Sequence, residues 1–309
     1  MNDKKGTEIT IVEVGPRDGF QNLKKLLPTT EKKRIIDGMV EAGIKTIEVT
    51  SFISPKAIPQ MADAKEIAQH CREKYPDVKA YALAPNLRGA KDAWESGIRH
   101  IQYVISLSKS HNKANINRTH EESFADLADI MENYPDLNVC VGLATIFGCP
   151  FEGVPSIEDA VKMVNHLYHQ IGIREFNLAD TIGIADPAQI RSTVRALQDA
   201  APDAKMQVHI HDTRGMGLVN TLAAIECGIT TVQSALGGLG GCPFAPGASG
   251  NTATEDLVFM LHRMGYDTGI DFDKLLKLAK YQVSIIDGVY SGHQIKIDSE
   301  HQIKVGLSA

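Results

Sequence analysis

The sequence contains few cysteines, and none of them are paired at CxxC spacing. Five are spread over the 309 residues, namely Cys71, Cys140, Cys149, Cys227 and Cys242. An odd number at wide spacings excludes a regular disulfide framework and a zinc site built from cysteine pairs. We therefore expect reduced, intracellular thiols.

The sequence also lacks an apolar run close to the ~20 residues that a membrane-spanning helix needs. The first residues, MNDKKGTEIT, lack the apolar core of a secretory signal. There is no excess of basic residues either, because 32 Lys and Arg stand against 38 Asp and Glu, for a net charge of −6. This balance argues against nucleic acid as a partner. We expect a cytoplasmic protein that binds neither membrane nor nucleic acid.

Short β-rich runs alternate with helix-length amphipathic segments along the whole chain. The eight candidate strands are residues 8–14, 46–52, 79–85, 100–106, 138–146, 174–180, 206–212 and 230–237. Gly-Ile pairs at 43–44, 97–98, 172–173 and 228–229 mark points where a helix ends and the chain returns to the sheet. Such alternation indicates parallel βαβ units, and eight of them favour an α/β fold closed as a (β/α)8 TIM barrel.

An open, doubly wound sheet is the alternative to a barrel. It would predict a GxGxxG phosphate loop after the first strand, but the sequence there is VGPRDG. No linker or low-complexity segment divides the chain, so we predict one catalytic domain over residues 1–309. An extra helix, Phe272–Ile286, and a polar tail form the part of that domain from about residue 270.

Residues suited to chemistry cluster at the carboxyl ends of the predicted strands, where barrel enzymes place their active sites. The set comprises Arg17, Asp18, Glu48, Asp180, His209, His211, Asp212, Cys242 and Asn251. His209 and His211 are two apart on one strand, so their imidazoles share a face. Two satisfied core histidines are the alternative, but the pair beside a carboxylate favours a metal site. Imidazole, carboxylate and amide ligands with room for substrate oxygens suit Mg²⁺ or Mn²⁺.

Two further segments offer reactive groups. Arg17 and Asp18 follow Gly15–Pro16 at a sharp turn, where they either form an ion pair that stabilises the turn or offer a guanidinium to an oxyanion and a carboxylate to a metal. Cys242 lies in GGLGGCPFAPGASGN. An isolated cysteine is usually an inert buried residue, whereas a loop this rich in Gly and Pro is typical of a lid that carries a thiol to a closed site.

The segments EVGPRDGFQN, IEVTSFISPKAIPQM, LADTIGIADP, HIHDTRGMGLVNT and GLGGCPFAPGASGNTATEDLV resemble the signature segments of the 3-hydroxy-3-methylglutaryl-CoA lyase family. The resemblance extends from about Glu13 to Gly269. RDG followed by a late HxHD is shared with isopropylmalate and homocitrate synthases, whereas the cysteine-containing segment is more specific to the lyases. The resemblance implies cleavage of 3-hydroxy-3-methylglutaryl-CoA to acetoacetate and acetyl-CoA, with a divalent cation as cofactor.

The resemblance also implies roles for individual residues. Asp18, His209, His211 and Asn251 match the metal ligands, and Arg17 matches the arginine that stabilises the thioester enolate. Glu48 and Asp180 match acidic residues around substrate and metal, and Cys242 matches the cysteine placed over the reacting carbon. The family commonly forms pairs, so a homodimer is expected.

The segment SLSKSHNKA departs from the family pattern, although the NIN and EES that follow it keep that pattern, and LATIF before GCPFEG departs as well. We place Ser108 and His111, together with Gln21, in the substrate pocket, with solvated loop residues as the alternative. Lys109, Lys113 and Arg118 are either contacts for CoA phosphates or a solvated basic loop. Three other functions stay open: a lyase for citramalyl-CoA or a longer 3-hydroxy-3-alkylglutaryl-CoA, a Claisen-type synthase using acetyl-CoA and a 2-oxo acid, and a non-catalytic barrel.

Overall fold

Eight parallel strands close into a barrel in chain order in the computed structural model, which describes residues 6–241 and 250–297. The strands are β1 (Thr10–Glu13), β2 (Thr46–Ser51), β3 (Lys79–Leu83), β4 (His100–Ser106), β5 (Asn138–Ala144), β6 (Glu175–Asp180), β7 (Lys205–Ile210) and β8 (Thr231–Ser234). The barrel is closed by β8 pairing with β1, where Thr10 lies opposite Thr231 and Glu13 opposite Ser234. The predicted (β/α)8 TIM barrel is confirmed.

Helices follow the strands and cover the outside of the barrel. They are α1 (Thr29–Glu41), α2 (Ala64–Lys74), α3 (Leu87–Glu95), α4 (Lys109–Ile116), α5 (His120–Asn133), α6 (Ile157–His166), α7 (Pro187–Ala200), α8 (Gly217–Glu226), α9 (Thr254–Arg263) and α10 (Phe272–Ile285). A π-helical turn, Leu167–Ile171, continues α6. The short helix α4 lies where the sequence led us to expect only a loop. Within the described ranges, no helix is both long and apolar enough to cross a bilayer.

Four glycines set the return from helix to strand at the base of the barrel. Gly43, Gly97, Gly172 and Gly228 all have φ between 87° and 101°, a left-handed conformation that disfavours residues with a Cβ. The isoleucines that follow are buried in the layer between barrel and helices: Ile44, Ile98, Ile173 and Ile229. Each Gly-Ile pair therefore stops a helix and anchors the next strand, as the sequence predicts.

The inside of the barrel is largely polar. At its amino end the Tyr81 hydroxyl lies 3.4 Å from a carboxylate oxygen of Glu175, which also approaches Lys205 Nζ at 3.6 Å. Above them lie four buried amide side chains, Gln102, Asn177, Gln207 and Gln233. This stack closes the lower barrel, so the open end is the one formed by the carboxyl ends of the strands.

Helix α10 and the segment after it join the two ends of the fold. Tyr281 on α10 donates a 2.6 Å hydrogen bond to Glu31 on α1. The chain then returns to the barrel mouth, where Ser291 Oγ donates to the Asn251 carbonyl at 2.8 Å and Gly292 N donates to the Gly237 carbonyl at 3.0 Å. The predicted extra helix thus packs on the barrel, and its extension braces the β8 loop.

Candidate metal and catalytic site

A single π-helical turn, Gly15–Gly19, presents Arg17 and Asp18 at the end of β1. The turn is anchored at Val14, whose carbonyl accepts hydrogen bonds from the amides of Arg17 (3.1 Å) and Asp18 (2.7 Å). Glycine at the far end of the turn allows a close approach to Leu239, because a Cβ on Gly19 would lie 3.1 Å from the Leu239 carbonyl oxygen, closer than an ordinary van der Waals contact. π-turns are rare and often occur at functional sites. Here the turn aims two adjacent charged side chains into the barrel mouth.

Arg17 is buried between two carboxylates. Its Nε donates to Glu48 Oε2 at 2.8 Å, and its Nη1 lies 2.5 Å from Asp18 Oδ1. Burial alone would lower the pKa of Arg17, but Glu48 and Asp18 outweigh it, so the pKa is raised and the guanidinium stays charged. Burial raises the pKa of Glu48, partly offset by Arg17. Glu48 Oε1 is buried and has no hydrogen-bond partner among the described residues, so this oxygen has an unused acceptor.

Asp18, His209 and His211 form a cluster that has the composition of a metal site. One ligand atom from each lies within 4.8 Å of the others. Among residues 6–241 and 250–297, this is the one group of three or more His, Cys, Asp or Glu side chains that could hold a metal ion. The two Nε2 atoms of the histidines are 3.0 Å apart, and His209 Nε2 lies 3.9 Å from Asp18 Oδ2. The pair on one strand face, predicted from HIHD, therefore meets the carboxylate from β1.

The charges of this cluster suit a cation. Burial would raise the pKa of Asp18, but Arg17 and the two histidines lower it to about 2, so the carboxylate is anionic. Burial, followed by the neighbouring His211, lowers the pKa of His209 to about 3, and burial also lowers that of His211. Neutral imidazoles keep a nitrogen lone pair for coordination, and an anionic carboxylate beside them is a hard oxygen ligand. The residues present therefore fit a divalent metal ion.

Asn251 and Gln21 both reach Asp18. Asn251 Nδ2 donates to Asp18 Oδ2 at 2.9 Å and to the Leu239 carbonyl at 3.1 Å, and Asn251 forms a bridge with His211. Gln21 Nε2 donates to Asp18 Oδ1 at 2.9 Å. The fold thus brings the side-chain amide of Asn251 next to the three-residue cluster, with its nitrogen on Asp18, and Gln21 to the edge of the cluster.

Asp180 is oriented differently from the other predicted acidic residues. Its two carboxylate oxygens accept hydrogen bonds from the amides of Ile184 and Ala185, each at 3.1 Å. Burial raises its pKa, which the two amides and His211 partly offset. Asp180 therefore lies beside His211 while its oxygens hold the loop that follows β6. Asp212 likewise accepts from Gly217 N at 2.7 Å, at the start of α8.

Ser108 and His111 lie across the mouth from the cluster and belong to the first turn of α4. Ser108 Oγ caps the helix by accepting from His111 N at 3.0 Å, and His111 Nδ1 lies 2.7 Å from Ser106 Oγ. A cavity of about 620 Å³ adjoins them, and its lining includes Ser108, Lys109, His120, Glu152 and Lys162. Both residues are buried, so a solvated loop does not describe them.

The basic residues considered for CoA phosphates differ in their engagement. Arg118 Nη1 pairs with Asp126 at 2.5 Å and donates to the Tyr103 hydroxyl at 3.0 Å. Lys113 Nζ donates to the Asn117 carbonyl at 3.2 Å. Lys109 is exposed at the cavity rim. Of the three, Lys109 has the position best suited to an incoming anion.

Cys242 lies outside the described residues, in the segment 242–249. The residues flanking that segment meet at the site, since a Cβ on Gly250 would lie 3.3 Å from the backbone of Gly241. Asn22 Nδ2 is 3.5 Å from the Gly241 carbonyl. The described residues on either side of this segment, Gly241 and Gly250, therefore lie next to each other and close to Asn251.

Sequence reasoning missed Gln233, which lies 2.9 Å from His209 Nδ1. The available signal was the alternation of side chains between the two faces of β8, which places Gln233 on the face toward the barrel interior, where it meets Gln102 and Gln207. A neutral glutamine within a strand belongs to no motif, whereas the charged residues at the strand ends do.

Comparisons with known proteins agree with this geometry. A family model described as HMGL-like matches residues 8–281. The chain is 42% identical over 277 residues to hydroxymethylglutaryl-CoA lyase YngG of Bacillus subtilis, covering 89% of the chain and 92% of that protein. It is 40% identical over 276 residues to the mitochondrial hydroxymethylglutaryl-CoA lyase of Mus musculus, covering 89% and 84%.

Solved structures give the same result. The B. subtilis HMG-CoA lyase superimposes with a TM-score of 0.89 at 38% identity, covering 94% of this chain and 98% of that one. An HMG-CoA lyase from Acinetobacter baumannii, in complex with coenzyme A and 3-methylmalate, also gives 0.89 at 38%, with 96% of each chain covered. The carboxyl transferase domain of Rhizobium etli pyruvate carboxylase, at 18% identity and a TM-score of 0.72, shares the fold.

Proposed function

Since the chain belongs to the HMGL-like family, we propose that it cleaves 3-hydroxy-3-methylglutaryl-CoA to acetoacetate and acetyl-CoA at the site formed by Arg17, Asp18, His209 and His211. The observation that carries the proposal is the convergence of these four side chains from β1 and β7 at the open end of the barrel. The family match and the resemblance from the sequence lead to the same activity, so the family prediction is confirmed. An enzyme of this class is a carbon–carbon lyase acting on a CoA thioester.

We assign the divalent cation to Asp18, His209, His211 and Asn251, and we expect Mg²⁺ or Mn²⁺. When bound, it supplies Lewis-acid chemistry that lowers the pKa of the substrate's tertiary hydroxyl. Oxygen and imidazole ligands around an open mouth suit these two ions. This family is generally dependent on a divalent metal, and the clustered ligand atoms support such a site.

The protein residues carry out the proton transfers and stabilise the enolate. The hydroxyl proton passes to a base, for which Asp18 and His209 are the candidates, although ligation of the cation limits each of them as a base. The bond between the hydroxyl-bearing carbon and the CH₂ next to the thioester then breaks. The electron pair moves to the thioester oxygen as an enolate. Arg17, held charged by Glu48 and Asp18, offers Nη donors to that developing oxyanion. A proton then reaches the enolate carbon, which releases acetyl-CoA, and we assign this delivery to Cys242 or to an ordered water.

The remaining assignments complete the proposal. Glu48 supports Arg17, and Asp180 lies beside His211 where it shapes the mouth. Gln21, Ser108 and His111 are proposed to line the acyl pocket. The A. baumannii relative binds coenzyme A in its crystal structure, which supports a CoA thioester as the substrate here. A homodimer is proposed because members of this family commonly form pairs. The molar mass from light scattering after gel filtration tests this proposal.

The deciding experiment is acetyl-CoA release from 3-hydroxy-3-methylglutaryl-CoA with Mg²⁺, with Mn²⁺ and after EDTA. We expect cleavage that needs either metal and stops with EDTA. A parallel panel of citramalyl-CoA and longer 3-hydroxy-3-alkylglutaryl-CoA substrates identifies the acyl preference, and incubation of acetyl-CoA with 2-oxo acids tests the synthase direction. Failure to cleave any thioester, in protein that binds metal, would refute the proposed reaction.

A further inference from the structure

Four amide side chains form one connected layer directly beneath the metal cluster. They come from four different strands: Gln102 on β4, Asn177 on β6, Gln207 on β7 and Gln233 on β8. All four are at most 5% exposed. We define these four residues as the amide layer. A buried amide is costly unless its hydrogen bonds are made, so the layer fixes its own orientation.

The orientation of Gln233 follows from its neighbours. Its Nε2 donates to Gln207 Oε1 at 3.1 Å and to Gln102 Oε1 at 3.3 Å. Asn177 Nδ2 donates to the same Gln102 oxygen at 3.0 Å. Rotating the Gln233 amide by 180° would place its oxygen against two carbonyl oxygens. Gln233 therefore uses its nitrogen within the layer and turns its oxygen upward.

That oxygen meets a metal ligand. Gln233 Oε1 lies 2.9 Å from His209 Nδ1. A carbonyl oxygen only accepts hydrogen bonds, so Nδ1 must carry the hydrogen. In a neutral imidazole the other nitrogen, Nε2, then keeps its lone pair, and Nε2 is the atom that faces Asp18 and His211. The contact thus fixes both the tautomer and the direction of the ring.

We propose that Gln233 is a positioning residue that holds His209 as its Nδ1–H tautomer and directs Nε2 to the metal, with the rest of the amide layer holding Gln233 in place. The inference rests on the proposed metal site for its consequence, but the tautomer belongs to the protein alone. The role differs from simple filling of the barrel, because filling requires volume and not a hydrogen-bond acceptor. Partners of this kind around other metal sites change metal affinity by about 10- to 100-fold.

The test replaces Gln233 with methionine, which keeps length and volume but removes the acceptor. Its matched control is Gln60→Met, since Gln60 and Gln233 are each 4% exposed. Among the described residues, the side chain of Gln60 bonds to the backbone of Leu23, Lys25 and Leu27 and not to the amide layer. If Q233M folds poorly, Gln233→Asn retains an amide in the layer but withdraws it from His209 by one methylene. Both Gln233 variants are expected to behave alike.

The first readout is ¹⁵N NMR of histidine-labelled, metal-free protein, with His209 assigned from a His209→Asn spectrum. We expect Nδ1–H at His209 in the parent and in Q60M, and a loss of that single tautomer in Q233M. His120 is the internal reference, because its Nε2 lies 2.8 Å from the Ser106 carbonyl oxygen, which fixes its tautomer independently of the amide layer. An unchanged His209 tautomer in Q233M and Q233N would overturn the proposal.

The second readout is the dissociation constant for Mn²⁺ or Mg²⁺, measured by calorimetry without substrate. We expect Q233M to bind about 10- to 100-fold more weakly than the parent, and Q60M to bind within a few-fold of it. Equal losses in Q233M and Q60M would reduce the effect to general loss of packing and refute the positioning role. If the parent binds no metal, the proposed metal site fails, while the NMR result still decides the tautomer.

Discussion

The barrel mouth has two halves in which the side chains of the main predicted site residues bond in different ways. In the half that we call the seam arc, formed by the ends of β7, β8 and β1, bonds join residues far apart in the chain. Asn251 reaches Asp18 across 233 positions, and His209 reaches Gln233 across 24. In the opposite half, the β4–β6 arc, the side chains of the predicted residues bond locally: Ser108 and His111 are three positions apart, and Asp180 bonds to residues four and five positions on. The long-range bonds of this arc run instead through the hydroxyls of Thr145 and Thr181, which accept from the amides of Ser108 and Thr145 across 37 and 36 positions.

This difference separates two uses of a polar residue at a strand end. Long-range bonds make several strands share one centre, which is what a metal or a reacting group needs. Short-range bonds hold a single loop in shape. Position at the carboxyl end of a strand is common to both arcs, so the bonding partners, and not the position, indicate which residues act together.

The largest expected effect comes from the matched pair Asp18→Asn and Asp180→Asn. Asp18 supplies the anionic ligand of the seam arc, so D18N should weaken metal binding by more than about 100-fold, the upper range for residues that only support a ligand, and abolish acetyl-CoA release. D180N should keep metal affinity within a few-fold and lose about 1–3 kcal/mol of stability to urea, because it weakens two bonds to its own loop. Calorimetry and urea unfolding measure both. Loss of metal binding in D180N would place Asp180 in the shared centre.

Arg17→Met should abolish cleavage while metal binding persists, because we assign Arg17 to stabilisation of the enolate charge and not to the ligands of the metal. Loss of even one oxyanion donor typically costs about 10²- to 10³-fold in turnover. The variant also leaves Glu48 buried without its partner, a change that usually destabilises by about 3–5 kcal/mol. The double variant Arg17→Met/Glu48→Gln should recover stability in urea but no activity. Recovery of activity would remove Arg17 from enolate stabilisation.

Cys242→Ser should lower turnover by about 10²- to 10⁴-fold, the usual contribution of one acid–base group, with the fold and the metal affinity intact. Circular dichroism and calorimetry serve as the controls for these two properties. Near-normal turnover would assign the final proton to water instead.

A smaller, pH-dependent effect should come from Glu255, which lies just behind the seam arc. Glu255 Oε2 accepts from Gly237 N at 2.9 Å, and burial raises the pKa of Glu255 to about 8 and that of the nearby Glu13 to about 7. A raised carboxyl pKa means that the folded state binds more protons than the unfolded one above pH 4.5, so this stability is present below that pH and is lost as the pH rises through 7 and 8.

Glu255→Gln should therefore remove its share of that loss. In metal-free E255Q, the melting temperature should fall between pH 5 and pH 9 by roughly half as much as it does in the metal-free parent. Glu13 still loses its proton over this range, so part of the fall remains. Glu66→Gln, at an exposed position, is the control and should follow the parent. A fall in E255Q as steep as in the parent would contradict the assigned cause.

The smallest effect is expected from Ser108→Ala in the β4–β6 arc. Loss of an N-cap oxygen costs about 1 kcal/mol, and metal affinity should not change. The measurements are urea unfolding and the KM for the thioester. A rise in KM with little loss of stability would support the proposed place of Ser108 in the acyl pocket, and an unchanged KM would contradict it.

The sequence was sufficient for the barrel because short β-rich runs alternate with helix-length amphipathic segments, and four Gly-Ile pairs mark where a helix ends and the chain returns to the sheet. It was also sufficient to bring His209, His211 and Asp18 together, since barrel closure places all strand ends on one rim. Helix α4 escaped prediction because Lys109–Ile116 has no apolar stripe. The helix instead forms between the Ser108 cap and Asn117, which has a φ of 54°.

The bonds of Asp180 and Gln233 could not be predicted in the same way. Asp180 has the same position on its strand as a catalytic carboxylate, and only the turn at 181–185 shows that its oxygens are occupied by amides. The orientation of Gln233 depends on side chains from β4 and β7. Interactions of this kind are set by the packing of distant strands and leave no local pattern.

The pairing of the first strand with the last makes the active centre a property of both halves of the chain. Glu13 accepts from Leu236 N at 2.9 Å and from Thr254 Oγ1 at 2.6 Å, 223 and 241 positions away. If the chain were cut between α5 and β5, one fragment would carry Arg17, Asp18 and Glu48, and the other both histidines. Neither fragment alone would hold a complete ligand set. Activity regained on mixing the two fragments would therefore show that the barrel has reassembled, because the ligand set is complete only when β1 and β8 pair.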